Sequence, residues 1–280
     1  MKRIIKKRAL IGLIALFGLI IVCSGGYLLF KYFNMLEADK TNKQLQDEFA
    51  ANLQIGTSAP EGYYLTMPAA PEGDTSPETT AAPVDPNSPV DFEGLMKQNP
   101  DVYSWIYIPD TKISFPVLQS ETNPDFYLEH DVYKNYSFPG AIYSQPVNKR
   151  DYSDRVTVLY GHNMLNGTMF ADLHKFTNQS FFDSHPYFYV YTKDRKLTYE
   201  VVSSHGFDDR SILGSHDFSD DKVFSEWLTA AQNPHSMYYT VRRDIKLDLN
   251  SKILVLSTCS NGTDARFLVQ GVLISDEKTN

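Results

Sequence analysis

The chain has 280 residues, 42% of them hydrophobic, 13% aromatic and 21% charged. That composition excludes a wholly disordered chain, a collagen-like chain and a disulfide-stapled miniprotein. The net charge of −8 is unevenly spread: residues 1–30 hold five basic side chains and no acidic one, leaving 21 basic against 34 acidic residues in 31–280, a net of −13. Nucleic-acid binding needs clustered Lys and Arg, so an acidic body of this kind argues against a nucleic-acid partner.

Residues 1–8 form a basic tail, and 9–30 (ALIGLIALFGLIIVCSGGYLLF) carry no charge. Twenty-two residues at the helical rise of about 1.5 Å span about 33 Å, enough for a bilayer core of about 30 Å. Basic residues on the N-terminal side predict a single-pass anchor with Met1 in the cytoplasm and the rest outside. The rival, a cleaved signal, has a shorter apolar region and a small-x-small cleavage site. Residues 31–56 contain few helix breakers, and Leu45, Phe49 and Leu53 make an i, i+4, i+8 stripe, so a juxtamembrane helix is expected there. Residues 57–89 hold seven of the fifteen prolines among Ser, Thr, Ala and acidic residues, the composition of a linker. It reads as a tether that holds a folded domain of residues 90–280 away from the membrane.

Within that domain strand signals dominate. Segments 103–108, 112–118, 141–144, 155–160, 187–192, 196–204, 252–257 and 266–274 are rich in Val, Ile, Tyr, Phe and Thr. Eight such segments predict a mainly β protein, a closed or nearly closed barrel with appended helices. Helices are expected at 91–98, at 168–176 and at 219–232. In the last, Ser219 is a candidate cap, Val223, Phe224, Trp227, Leu228 and Ala231 make the apolar face, and Pro234 stops the helix.

Cys23 lies in the apolar run, where it reads as a small hydrophobe. Cys259 is then the only cysteine beyond the anchor, which leaves a reactive thiol or a buried strand residue as the alternatives. An apolar strand runs into Thr258–Cys259, a Gly-containing turn follows, and Arg266 opens the next strand. If the two strands pair, cysteine and cation meet at one end of the barrel, where a positive charge favours thiolate and stabilises negative charge on a substrate. A second apolar strand, 156–160, runs out into Gly161–His162. Cysteine with histidine is the minimum for thiol nucleophilic catalysis. Spacing alone leaves other histidines open, His130 among them.

Two motifs, YGHNM (160–164) and LSTC with RF (256–259, 266–267), resemble those of the class B sortases. The likeness extends in the same order through SWIYIPDTKISFPVLQ (104–119), NPDFYLEHDVYKN (123–135), FPGAIYS (138–144) and NGTMFADLHKF (166–176), and covers roughly 90–275. The resemblance implies an eight-stranded sortase-type β-barrel with an N-terminal helix and a long helix before the cysteine strand. It also implies a transpeptidase. Cys259 would attack a sorting-signal peptide of a secreted surface protein after its Thr, His162 would shuttle the proton, and Arg266 would hold substrate and oxyanion. The acyl group would pass to an amine, of a peptidoglycan precursor or of a pilin Lys. Ser257, Thr258 and Asn163 are candidate substrate contacts. A thiol protease and a non-catalytic anchored binding module are the other readings of the same residues. Two departures stand out: only six residues separate Cys259 from Arg266, and Asn261 stands where many class B members carry an acid, with Asp264 nearby. No CxxC, HExxH, EF-hand or phosphate-loop motif occurs, so neither a metal nor any other cofactor is implied.

Overall fold

The computed structural model describes residues 2–56, 88–260 and 265–279. Helix α1 (Lys2–Gly56) is followed by α2 (Phe92–Gln98), and then by strands β1 (Val102–Tyr107), β2 (Ser114–Leu118), β3 (Ile142–Tyr143) and β4 (Val156–Tyr160). A 3-10 segment (Ala171–Thr177) and α3 (Gln179–Ser184) lead into β5 (Tyr187–Tyr191) and the long β6 (Arg195–Phe207). Helices α4 (Ile212–Ser215) and α5 (Asp221–Gln232), then β7 (Tyr239–Val241), precede β8 (Ile253–Cys259) and β9 (Arg266–Lys278).

Eight strands close a ring in the order β5-β1-β2-β3-β4-β8-β9-β6, and the β5–β6 pairing completes it. This is the eight-stranded barrel expected from the sequence, with β7 added outside the ring on β6. Closure leaves no free edge in the ring, which removes the usual template for strand addition. Most pairs are antiparallel, but β2–β3 and β4–β8 run parallel, the latter with Val156 opposite Ile253 through Tyr160 opposite Ser257. The C-terminal ends of β4 and β8 therefore emerge at the same rim.

Alternation along the strands makes two surfaces. Leu159, Leu254, Leu256, Phe267 and Val269 point into the barrel with Ile106, Phe115 and Phe188. Val156, Val158, Ile253, Val255 and Leu268 point outward, where Phe224, Trp227, Leu228 and Ala231 of α5 cover them. The apolar face of α5 is as expected except that Val223 is half-buried. Its cap is Asp220 rather than Ser219. The Asp220 carboxylate accepts from the N–H groups of Lys222 and Val223 (2.8 and 3.1 Å), and a charged acceptor suits the positive end of the helix. The helix expected over 168–176 is instead a 3-10 segment that starts at Ala171. Met169 just before it has φ 56°, a left-handed backbone that no helix can include.

The apolar run 9–30 and the segment 31–56 lie on one continuous helix, α1. Its residues 12–30 are all exposed. Beyond them Ala38, Leu45 and Phe49 are buried, and Leu53 packs beside them. Phe49 stacks on Trp105 (ring centroids 5.2 Å, interplanar angle 6°) and meets Tyr107 and Tyr191. The stripe read from the sequence is the docked face. The proline-rich stretch falls mostly on 57–87, outside the described residues.

Candidate active site

The C-terminal end of β8 carries Cys259, and the first residue of β9 is Arg266. They are direct cross-strand partners. Opposed residues in an antiparallel ladder project to the same face, here the outer face of the barrel. Strand β4 ends at Tyr160, opposite Ser257 and two residues short of Cys259, and the N–H of Gly161 donates to the Ser257 carbonyl (3.1 Å). That bond carries the β4–β8 pairing one step past the strand and delivers His162 to the same rim. The three side chains line one cleft of about 380 Å³ with Ser257, Tyr143, Tyr160, Asp125 and Arg210.

Gly161 makes this approach possible. A Cβ there would lie 2.5 Å from Ile142 Cδ1 and 2.8 Å from the Phe170 ring. The His162 ring is held from two sides. Its Nε2 lies 2.9 Å from the Leu128 carbonyl oxygen, and its face lies against Phe138 (centroids 6.3 Å, interplanar angle 19°). A ring nitrogen bonded to a carbonyl carries a proton, which leaves Nδ1 as the nitrogen free to exchange one. The supporting segment turns at Gly140 (φ 61°), where a Cβ would run into the carbonyls of Tyr127 and Leu128.

Cys259 is exposed. Its carbonyl oxygen is gripped by two donors, His174 Nε2 (3.0 Å) and Asn163 Nδ2 (3.2 Å). His174 also stacks on Phe267 (4.6 Å), the residue after Arg266. Burial holds the His174 imidazole below its usual pKa, partly offset by the bond to the Cys259 carbonyl. Burial pushes the Tyr160 phenol up to about 12 against the opposing pull of Arg266, with Asp125 adding to the rise. Tyr143 moves the same way, from burial first and Asp125 second. Both phenols therefore keep their protons, and both feel the guanidinium of Arg266.

The sequence-derived residues divide clearly. Cys259, His162, Arg266 and Ser257 share the cleft. Asn163 fixes the backbone of the cysteine. Thr258 alternates to the opposite face and is buried, and its hydroxyl finds no partner among the described residues. His130 packs on Phe126 (4.0 Å) with Nδ1 on the Phe126 carbonyl. Asn261 and Asp264 lie outside the described residues. Sequence reasoning missed His174; it stands in NGTMFADLHKF, but nothing in its spacing points to the cysteine. It also missed the wall formed by Asp209, Arg210, Ser211 and Ile212, an irregular segment with no periodicity to read. Among the described residues, no group of His, Cys, Asp and Glu could hold a metal ion.

The chain matches a family model described as the sortase domain over residues 106–274. It is 30% identical over 188 residues to sortase B of Listeria monocytogenes, covering 66% of this chain and 74% of that protein. Against sortase B of Staphylococcus aureus it is 28% identical over 186 residues, 65% of this chain and 74% of the other. Among solved structures, Clostridium perfringens sortase B superposes with a TM-score of 0.59 at 34% identity, covering 65% of this chain and 99% of that one. A Staphylococcus aureus sortase B–substrate complex superposes with a TM-score of 0.58 at 28% identity, covering 66% and 84%. With its closed eight-stranded barrel and a cleft where cysteine, histidine and arginine meet, the chain belongs to the sortase family, among the class B enzymes.

Proposed function

We propose that this protein is a membrane-anchored cysteine transpeptidase with Cys259, His162 and Arg266 as its catalytic residues. The observation that carries the reading is the direct pairing of Cys259 with Arg266 in the cleft that His162 also lines. The Cys259 sulfur attacks the carbonyl carbon of the scissile peptide, at the Thr of a C-terminal sorting signal. Negative charge gathers on the carbonyl oxygen, and Arg266 stabilises it with a planar fork of donors. His162 gives a proton through Nδ1 to the departing amine, the C–N bond breaks, and a thioester remains on Cys259. An amine of a peptidoglycan precursor then enters, loses its proton to His162 and forms the new amide, and the thiolate leaves. Tyr143 and Tyr160, both kept neutral, supply hydroxyl donors beside the guanidinium. Ser257 lines the floor of the cleft.

The basic tail and the 22 uncharged residues support a single-pass anchor, with the N-terminus in the cytoplasm and the barrel outside.

The test is mass spectrometry of the protein with a panel of Thr-containing sorting-signal peptides, with and without an added amine. The expected result is an acyl adduct on Cys259 that transfers to the amine and is absent in Cys259→Ala. Turnover retained in that variant overturns the mechanism. Release to water alone, whatever the amine, makes the enzyme a thiol protease.

A further inference from the structure

The docked face of α1 begins where its apolar run ends. Residues 12–30 are exposed throughout. From Lys31 onward, half-buried or buried positions recur at 31, 34, 35, 38, 42, 45 and 49, the spacing of one helix face. No exposed stretch of helix separates the two regions. Phe30, the last uncharged residue of the run, stacks on Tyr136 of the barrel domain (6.2 Å). The Lys31 ammonium lies 4.0 Å from the centre of the Phe138 ring. Asn34 then clamps the same segment twice: its Oδ1 accepts from the Phe138 N–H (2.7 Å) and its Nδ2 donates to the Tyr136 carbonyl (2.9 Å). Phe138 is the ring against which His162 lies.

We infer that the barrel rests on the bilayer surface, with the segment around Tyr136–Phe138 at headgroup level and the His162 side of the cleft beside it. The inference rests on the anchor proposed above. The apolar run of 9–30 is long enough to fill the hydrocarbon core, so its outer end falls near Phe30. Asn34 is four residues on, about 6 Å along the helix axis. Tyr27, Phe30, Tyr32 and Phe33 give the aromatic belt expected at that depth, and Lys31 supplies the cation that settles among headgroups. Tyr136, which is exposed and stacks on Phe30, extends the belt onto the barrel domain. The occupant of this face is therefore a lipid surface. The site is not held off on a long tether: a peptide or amine reaches it only by presenting its reacting group close to the headgroups.

The test uses the full chain in phosphatidylcholine–phosphatidylglycerol vesicles, with a thiol-linked fluorophore and two quenching lipids. One lipid carries its quencher on the headgroup, the other in mid-chain. All samples carry Cys259→Ser. Native Cys23 reports on the anchor. Tyr136→Cys and Asn135→Cys, each with Cys23→Ser, report on the proposed contact. Two positions guard against one variant failing to fold. Lys97→Cys on α2, also with Cys23→Ser, is the distant control. Helix α2 lies beside the far end of α1, where Asn52 bonds the Pro89 carbonyl, about 33 Å along the axis from Phe30. The expected result is loss of Cys23 emission to the mid-chain quencher, loss of emission at 135 or 136 to the headgroup quencher, and unchanged emission at 97. Quenching at Cys23 with none at 135 and 136 overturns the surface contact and keeps the anchor. Equal quenching at 97 and 136 overturns the fixed orientation. No quenching at Cys23 overturns the anchor and the surface contact with it.

Discussion

Gly161 decides whether His162 can stand at the rim. Alanine there must push aside the Ile142 and Phe170 side chains, both fully buried in the barrel, and overpacking of that kind costs about 1–3 kcal/mol. Because the bond from the Gly161 N–H to Ser257 is what carries the pairing to His162, Gly161→Ala is expected to lower kcat more than its loss of stability explains. Single-turnover acylation compared with a denaturant melt checks this, and parallel losses would make Gly161 a packing residue only. His174 gives a prediction in pH. Burial depresses its pKa in the fold below the ordinary histidine value of about 6.5. The unfolded chain then takes up the proton first as pH falls, so the stability that neutral His174 provides is present above about 6.5 and is lost on acidification below it. His174→Gln retains a donor for the Cys259 carbonyl and removes the titration. Its midpoint of unfolding should vary less between pH 7 and 5 than that of the parent, and identical slopes would move the acid sensitivity elsewhere. That Cys259, Arg266 and a histidine would meet at one rim was legible because strand ends can be read from apolar runs; the choice of His162 over His130 came from the class B resemblance, and the structure places all three in one cleft. His174 was not legible. It reaches Cys259 across 85 residues of sequence, through a 3-10 segment whose position depends on the left-handed turn at Met169.

At the scale of elements, α1 joins an apolar run long enough to cross a membrane to a piece of the domain. Phe49 is 3% exposed and lies among Trp105, Tyr107 and Tyr191. Phe49→Ala removes a buried aromatic, and the expected cost is about 3 kcal/mol, read as a shift in chemical denaturation of the full chain in detergent. A change near zero would mean that the helix touches the barrel without stabilising it. The strands were legible because β-branched and aromatic residues crowd them and turn residues separate most of them. Short elements were not: β7 has three residues and α4 has four, too few to show a period, and each is held by what it packs on. The union of anchor and juxtamembrane segment into one helix was concealed by their composition. The first is apolar all round and the second carries a single docked stripe, so they read as separate elements although no breaker stands between them.

On the scale of the whole molecule, the ring of eight strands is complete without α1. Removal of residues 1–88 should therefore leave a folded domain that still acylates, with a lower melting temperature and a tendency to self-associate through the bared Trp105, Tyr107 and Tyr191 face. Thermal melts and size-exclusion chromatography report both effects, and a domain that fails to fold would make α1 part of the minimal fold. Barrel closure was legible as a class from the number of strand segments. The pairing order was not, because it is set by long-range partners. The parallel β4–β8 pair has a consequence in time. The two strands bring together residues 97 apart in sequence, and a parallel pair cannot form by a hairpin turn. Non-local pairings of this kind close late, after the entropy of the intervening chain has been overcome. A partly folded chain thus holds Cys259, His162 and Arg266 without their arrangement, so the return of any activity that the cleft supports should follow the closing of the ring on refolding and lag behind its hairpins.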